Sequence, residues 1–368
     1  MKKILFIIDH FGTGGAQRQL VNLAIALKNK DYNIDIFIFY PKYDNFRNEV
    51  ENIGINIIEY KKDKIGFSFK LLCNLRKLIR YNKYDICLSY LDTPSIYLIL
   101  ARIGLNTKII VSDRSSFLKA DNHYILAFKR QIFRLSDVVI TNSITQAEWL
   151  VNFAKLSKKR VKTIYNGFDK SKYIYTNYIP YSKNTLRLLG IGSIRPVKNL
   201  QTLIYALEIV RKRNPGMMPQ ITWVGRTICE QYKNDILTIL DKNREIKKRW
   251  YWKGEISDVS SIIAGHHALI LPSLYEGLPN VVCEAMFSGK PVIASDVCDN
   301  PYLIENKIRG FLFDPESPES LAEAIINLGL LTKEEWKNMS IRNRRYAEEY
   351  LSLEIMSAKY ENVFKMLF

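Results

Sequence analysis

Two glutamates, Glu276 and Glu284, stand eight positions apart in the stretch Ser273-Leu-Tyr-Glu-Gly-Leu-Pro-Asn-Val-Val-Cys-Glu-Ala-Met286. Ionised carboxylates accept hydrogen bonds from sugar and ribose hydroxyls. The stretch follows an apolar run at 268–272 and enters a helical pattern that ends at Gly289 and Pro291. Both carboxylates and a helix N-terminus therefore fall at the carboxyl end of a strand. Open α/β sheets bind ligands there, and helix N–H groups receive phosphate. A ligand with hydroxyls and phosphates suits the place, a nucleotide-sugar above all. Glu284 has a structural alternative, because a negative charge early in a helix is favourable against the dipole. Glu276, in the loop between Tyr275 and Gly277, has none.

Two further loops carry related chemistry. The chain opens with an apolar strand and Asp9-His-Phe-Gly-Thr-Gly-Gly-Ala-Gln-Arg18, a glycine loop feeding a helix. Such a loop lets backbone N–H groups approach a phosphate; a tight turn without a ligand is the alternative. The third glycine of a dinucleotide fingerprint is replaced by Gln17, and the second strand ends in Tyr40-Pro41 without an acidic ribose ligand. A dehydrogenase is excluded on that ground. The second loop, Gly190-Ile-Gly-Ser-Ile-Arg-Pro-Val-Lys-Asn199, places Arg195 and Lys198 where both cations can reach one diphosphate. Metal chemistry is not expected: there is no Asp-x-Asp pair, and the four histidines lack metal-ligand spacing. His266-His267 precedes a buried strand and reads as structural, whereas His10 is open between turn hydrogen bonding and a role in the cleft.

The elements that must position these residues alternate between β-branched runs and helical patterns, the mark of parallel α/β sheets. Strands are expected at 4–8, 34–40, 55–59, 86–90, 108–112, 138–141 and 161–165 in the first half. In the second half they are expected at 186–191, 220–224, 249–252, 268–271, 291–294 and 310–313. Residues 169–185, rich in Tyr, Ser, Asn and Lys, interrupt the pattern and read as a linker. The expected domains are 1–168 and 186–350, two doubly wound Rossmann-like folds facing a cleft. A terminal helix at 351–368 could cap either domain, packing back on the first or staying on the second.

A chain of 368 residues suits two such domains. Its net charge of +17 calls for an anionic partner. Five cysteines without a CxxC pair read as reduced thiols in a cytosolic protein. No apolar run is long enough for a signal peptide or a spanning helix. The segment 61–83 interleaves eight Lys/Arg residues, among them Lys61, Lys62, Lys70 and Arg80, with Phe67, Leu71, Leu75 and Ile79 at helical spacing. It reads as a basic amphipathic helix, either against an anionic membrane surface or with its stripe in the core. A second basic group, Lys129, Arg130, Arg134 and 155–162, lies in the same half.

The spacing Glu276-x7-Glu284, the Gly289-Lys-Pro-Val-Ile-Ala294 run, the Gly14-Gly15-Ala-Gln17 loop and the Arg195/Lys198 segment together resemble retaining GT-B glycosyltransferases of the family-4 type. The segments Ser89-Tyr-Leu-Asp-Thr-Pro94 and Val111-Ser-Asp-Arg-Ser115 are similar to members that build polyprenyl-diphosphate-linked glycans. The resemblance implies that Glu284 holds the ribose hydroxyls and that Glu276 contacts the donor sugar. Arg195 and Lys198 would bind the diphosphate. Gly14, Gly15, Asn280 and Val281 would complete the phosphate cradle, with Gly277 and Leu278 beside the donor. His10, Asp92 and Arg114 are the candidates for the cleft or the acceptor. Two departures stand out. Ser193 occupies a position where many members carry Arg, and Cys298-Asp299 replaces the usual glycine pair.

The expected function is therefore transfer of a sugar, with retention, from a UDP-sugar to a hydroxyl of a lipid-linked or polysaccharide acceptor in envelope glycan synthesis. No cofactor or divalent metal is expected, and the protein would sit at the cytoplasmic face of the cell membrane. A nucleotide-sugar epimerase on the same scaffold is one alternative. A basic nucleic-acid-binding protein is the other; it fits the charge but not the glycine loops or the glutamates.

Overall fold

The computed structural model describes residues 2–62, 66–114, 123–181 and 185–368. Asp63, Lys64, Ser115 and 182–184 of the features above lie outside them, as does the side chain of His123. The chain divides into two compact units, Met1–Phe168 with Ser352–Phe368, and Asp169–Leu351.

The first unit holds seven parallel strands: β1 Lys3–Ile8, β2 Asn33–Ile38, β3 Asn56–Glu59, β4 Ile86–Tyr90, β5 Lys108–Asp113, β6 Val138–Thr141 and β7 Val161–Thr163. Their order is β3-β2-β1-β4-β5-β6-β7. The second unit holds six: β8 Arg187–Ile191, β9 Gln220–Val224, β10 Trp250–Trp252, β11 Ala268–Leu271, β12 Val292–Ser295 and β13 Gly310–Phe313, ordered β10-β9-β8-β11-β12-β13. Runs such as Lys-Ile-Leu-Phe-Ile-Ile and Ala-Leu-Ile-Leu are apolar on both faces because helices cover both sides of a parallel sheet. Strand order reverses between β1 and β4 and again between β8 and β11. Those two switch points are where the loops diverge and leave a crevice at the strands' carboxyl ends.

Two segments named above take a definite form. Among the described residues of 61–83 the helix runs over Phe69–Asn82, and Leu71, Leu75 and Ile79 lie in the core with Leu5, Ile7 and Cys87. Of the two readings of its apolar stripe, the core takes those three residues, while Lys70, Lys77 and Arg80 stay exposed. The 169–181 part of the expected linker packs on the second unit. Tyr173 stacks on Phe287 at 5.5 Å, Tyr181 packs against His267 and Trp336 at 5.1 Å each, and the Thr176 N–H donates to the Ser288 carbonyl. Its tyrosines are packing residues.

The helix Leu353–Lys365 belongs to the first unit. Met356, Tyr360, Val363 and Phe364 are buried with Ile8, Leu20 and Tyr90, and Lys30 pairs with Glu361 at 2.5 Å. No helix among the described residues is long and apolar enough to cross a membrane.

Candidate functional site

The second unit's switch point gathers residues from the carboxyl ends of β8 and β11. Beyond β8 the chain needs room. A Cβ on Gly190 would lie 2.2 Å from the Trp223 ring, and one on Gly192 would lie 2.7 Å from Lys198 Cε. Gly192 therefore opens the path along which Lys198 runs, and the Trp223 Nε1–H holds the Gly192 carbonyl at 2.9 Å. A 3-10 turn, Pro196–Lys198, then aims the lysine inward. The Leu274 N–H donates to the Val197 carbonyl at 2.9 Å, tying this loop to the one beyond β11.

Lys198 is buried and its Nζ donates to Glu276 Oε1 at 2.5 Å. The Ser273 hydroxyl donates to the same oxygen at 2.6 Å. Both bonds fall on Oε1, so Oε2 has no partner among the described residues. The charged pair is thereby compensated while one carboxylate oxygen remains available to a ligand hydroxyl. Ser273 is fully buried, three residues before Glu276 in the same quoted stretch. Sequence reasoning passed over it, though an i, i+3 serine beside a loop carboxylate was a usable signal.

The helix Asn280–Phe287 starts immediately after, with Pro279 as its N-cap. The Val282 and Cys283 N–H groups donate to the Pro279 carbonyl at 3.0 and 3.4 Å, and the positive end of the helix dipole faces this loop. Glu284 is half-buried, and its carboxylate has no hydrogen-bond or ion-pair partner among the described residues. Desolvation by the surrounding protein pushes its pKa up to about 7. An unpartnered carboxylate in such a place is a standing acceptor for ligand hydroxyls. Gly277 is half-buried in this loop and Leu278 is buried beneath it.

Arg195 stands apart. It is exposed and makes no side-chain bond to Lys198 or Glu276, so only the lysine of the expected cation pair is joined to the glutamate. Cys298, in place of a glycine, keeps the left-handed backbone at φ 52°. Burial pushes its thiol up to about 11, against the opposing pull of hydrogen bonds with Glu276 N–H and Tyr275.

In the first unit the glycine loop lies at the β1/β4 switch point. Gly14 caps the helix Gly15–Lys28, with extended φ/ψ and its carbonyl accepting the Arg18 N–H. The His10 Nδ1 accepts the Gly12 N–H at 2.8 Å, and the ring tilts against Tyr43. Of the two roles open for His10, turn hydrogen bonding is the one made here. Asp92 opens the helix after β4 and receives Arg130 Nη2 at 2.9 Å, while Arg130 also pairs with buried Asp113. Arg114 lies over the Tyr90 ring at 4.1 Å and bonds to Ser112, Asn166 and Tyr360.

His266 and His267 serve the fold. His266 bonds Ile262 and Thr222, and His267 Nδ1 accepts the Arg187 N–H. Burial lowers the His267 pKa to about 4. No group of three or more His, Cys, Asp or Glu residues able to hold a metal occurs among the described residues.

Known proteins share these features. Residues 13–172 match Glycosyltransferase Family 4, and residues 185–329 match Glycosyl transferases group 1. A GalNAc-alpha-(1->4)-GalNAc-alpha-(1->3)-diNAcBac-PP-undecaprenol alpha-1,4-N-acetyl-D-galactosaminyltransferase of Campylobacter jejuni is 26% identical, over 96% of this chain and 98% of its own. A UDP-Gal:alpha-D-GlcNAc-diphosphoundecaprenol alpha-1,3-galactosyltransferase of Escherichia coli is 23% identical over 70% of each chain. HepE from Anabaena, crystallised with UDP and glucose, matches the whole of both chains with a TM-score of 0.82 at 18% identity, a likeness of fold. The two Rossmann-like units are those of the GT-B architecture.

Proposed function

The chain belongs to the group 1 and family 4 glycosyltransferases, and from that premise we propose that it transfers a sugar from a UDP-sugar, with retention, to a polyprenyl-diphosphate-linked or polysaccharide glycan of the cell envelope. One observation carries the reading. The Lys198–Glu276–Ser273 set and the unpartnered Glu284 share the β8/β11 switch point beside a helix N-terminus.

In this reading Glu284 accepts hydrogen bonds from the ribose hydroxyls, and the Asn280 and Val281 N–H groups receive phosphate oxygens. Lys198 faces the diphosphate, and exposed Arg195 turns in to join it. Glu276 is fixed through Oε1 and offers Oε2 to the donor sugar. The bond from the anomeric carbon to the phosphate oxygen breaks, and a bond to the acceptor oxygen forms on the same face. The acceptor's proton passes to the departing phosphate. Lys198 and Arg195 meet the charge that develops there, the kind of electrostatic stabilisation that is usually the largest catalytic term. In the first unit, the Gly14–Gly15 turn offers backbone donors to a phosphate, and Asp92 and Arg114 offer charged groups to an acceptor. That the relatives from Campylobacter jejuni and Escherichia coli are named for undecaprenyl-diphosphate acceptors supports the acceptor class.

We also place the first unit peripherally on an anionic membrane at the cytoplasmic face. Tyr124 and Phe128, 86% and 79% exposed, lie on the helix His123–Arg130 together with Lys129. Lys155, Lys158, Lys159 and Arg160 add charge on the same unit. Aromatic side chains with lysines suit an interface of acyl chains and acidic headgroups.

A thermal-shift panel of nucleotide-sugars tests the donor assignment, because a bound donor raises stability by mass action. The Glu276→Ala variant should still bind UDP while transfer falls by about 10²-fold or more, the scale of losing a group that acts in the transition state. Undiminished turnover in that variant would remove Glu276 from the mechanism.

A further inference from the structure

A second cavity in the first unit takes no part in donor chemistry. It has a volume of about 750 Å³, within the usual range for small-molecule sites, and is lined by Phe39, Tyr40, Pro41, Lys42, Tyr43, Lys61 and Lys62. It opens beyond the carboxyl ends of β2 and β3, beside the His10 turn that Tyr43 contacts at 5.0 Å.

Lys62 is the unusual member. It is only 9% exposed, and its Nζ has no hydrogen-bond or ion-pair partner among the described residues. The Phe39 carbonyl fixes its backbone N–H at 3.1 Å, and its ammonium lies between the Tyr40 and Tyr97 rings, 5.4 and 5.6 Å from their centroids. Cation–π attraction offsets part of the desolvation of a buried ammonium. A charge in this position still lacks its counter-ion. Lys42 and Lys61 add two more cations, and no carboxylate is among the described lining residues. The cavity is thus built for an anion.

Its walls ask for something apolar attached to that anion. Buried Tyr97 stacks on Phe67 at 5.1 Å, and Phe67 meets Phe69 edge-on at 5.1 Å. Phe67 and Phe69 are 49% and 75% exposed. An aromatic path therefore runs from the buried ammonium to the surface at the start of the Phe69–Asn82 helix.

We infer that this cavity binds a prenyl diphosphate, with the diphosphate on Lys62, Lys61 and Lys42 and the isoprenoid chain running out along the exposed rings of Phe67 and Phe69. The inference rests on the lipid-linked acceptor of the preceding reading and gives that acceptor's lipid end a seat separate from its glycan.

Calorimetric titration of the full chain tests it, with farnesyl diphosphate, inorganic diphosphate, farnesol and UDP as probes. Farnesyl diphosphate should bind, and Lys62→Met should weaken it about tenfold or more, the worth of a charged hydrogen bond. Phe69→Ser, a surface change that leaves the fold intact, should weaken farnesyl diphosphate but not inorganic diphosphate. UDP should bind both variants as it binds the parent. Equal affinity of the parent and Lys62→Met for farnesyl diphosphate would overturn the inference. So would inorganic diphosphate binding as tightly as its farnesyl ester, or a parallel loss of UDP binding in Lys62→Met. A chain that binds farnesyl diphosphate but no nucleotide-sugar would fail the transfer reading and leave this one standing.

Discussion

Glu284 carries the clearest consequence at the scale of single residues. Its pKa is raised by desolvation to about 7, so the empty site favours the protonated acid below that value. A carboxylate accepts from two ribose hydroxyls better than the acid does, so donor binding favours the ionised form. Affinity for a UDP-sugar should then rise with pH, by up to about tenfold per unit below 7, and level off above it. The sign for stability is opposite. A raised acid stabilises the fold below its unfolded pKa, and that contribution is lost as pH climbs toward 7. The Tm of the empty protein should therefore fall between about pH 4.5 and 7, the range set by the two pKa values, and level off above it, while donor affinity rises. Glu284→Gln should flatten both profiles; an unchanged pH dependence in that variant would refute the assignment. UDP itself is the wrong probe, since its terminal phosphate titrates near about 6.

At the scale of elements, the loop after β8 makes a sharper claim than its charges do. Gly192 is required by the side chain that crosses it, since an added Cβ would lie 2.7 Å from Lys198 Cε and 3.1 Å from Nζ. The atoms struck are the far end of a flexible chain and can yield, but Gly192 also sits at φ 158°, a backbone conformation that costs a residue with a side chain about 1–3 kcal/mol. Gly192→Ala should keep the unit folded, with nucleotide-induced thermal stabilisation reduced, while transfer falls by about 10²-fold through misplacement of Lys198. Full activity in Gly192→Ala would show that Lys198 does not need this path. The same loop marks where sequence stops being legible. Expected and observed strands agree at all thirteen positions to within a few residues, because an apolar β-branched run bounded by turns encodes a buried strand locally. Glu276, Glu284 and Lys198 were readable because strand ends and helix starts have local signals. The Lys198–Glu276 bond itself was not, since it depends on two loops meeting across the sheet, whereas Ser273 stood three residues before Glu276. The Phe69–Asn82 helix stayed open for a similar reason: its sequence is amphipathic, but only the sheet decides whether that stripe meets lipid or core.

The whole molecule is one unit inserted into another. The chain leaves the first unit at Phe168 and returns at Ser352, where the two residues form a parallel bridge and the Leu353 N–H donates to the Phe168 carbonyl at 3.1 Å. The ends of the inserted segment are therefore adjacent, the geometry that lets a domain be excised without leaving a gap. Residues 169–351 contain all six strands of their sheet and a core of their own. Residues 1–168 do not, because the helix Leu353–Lys365 supplies Met356, Tyr360, Val363 and Phe364 to the first core. Removing four buried side chains of that size costs several kcal/mol, at about 2–5 kcal/mol for each large apolar residue, comparable with the whole stability of a domain. The charge is distributed just as unevenly, since residues 1–168 hold 27 Lys/Arg against 14 Asp/Glu. A fragment of 169–351 should fold on its own and show a UDP-dependent thermal shift, yet fail to sediment with anionic vesicles that pull down the full chain at physiological salt. A fragment of 1–168 should be unfolded unless 352–368 is fused back through a short linker, and that fusion should recover vesicle binding. Vesicle binding by the 169–351 fragment, or none by the full chain, would remove the membrane assignment from the first unit. A folded 1–168 would show that the terminal helix is an addition to a finished core.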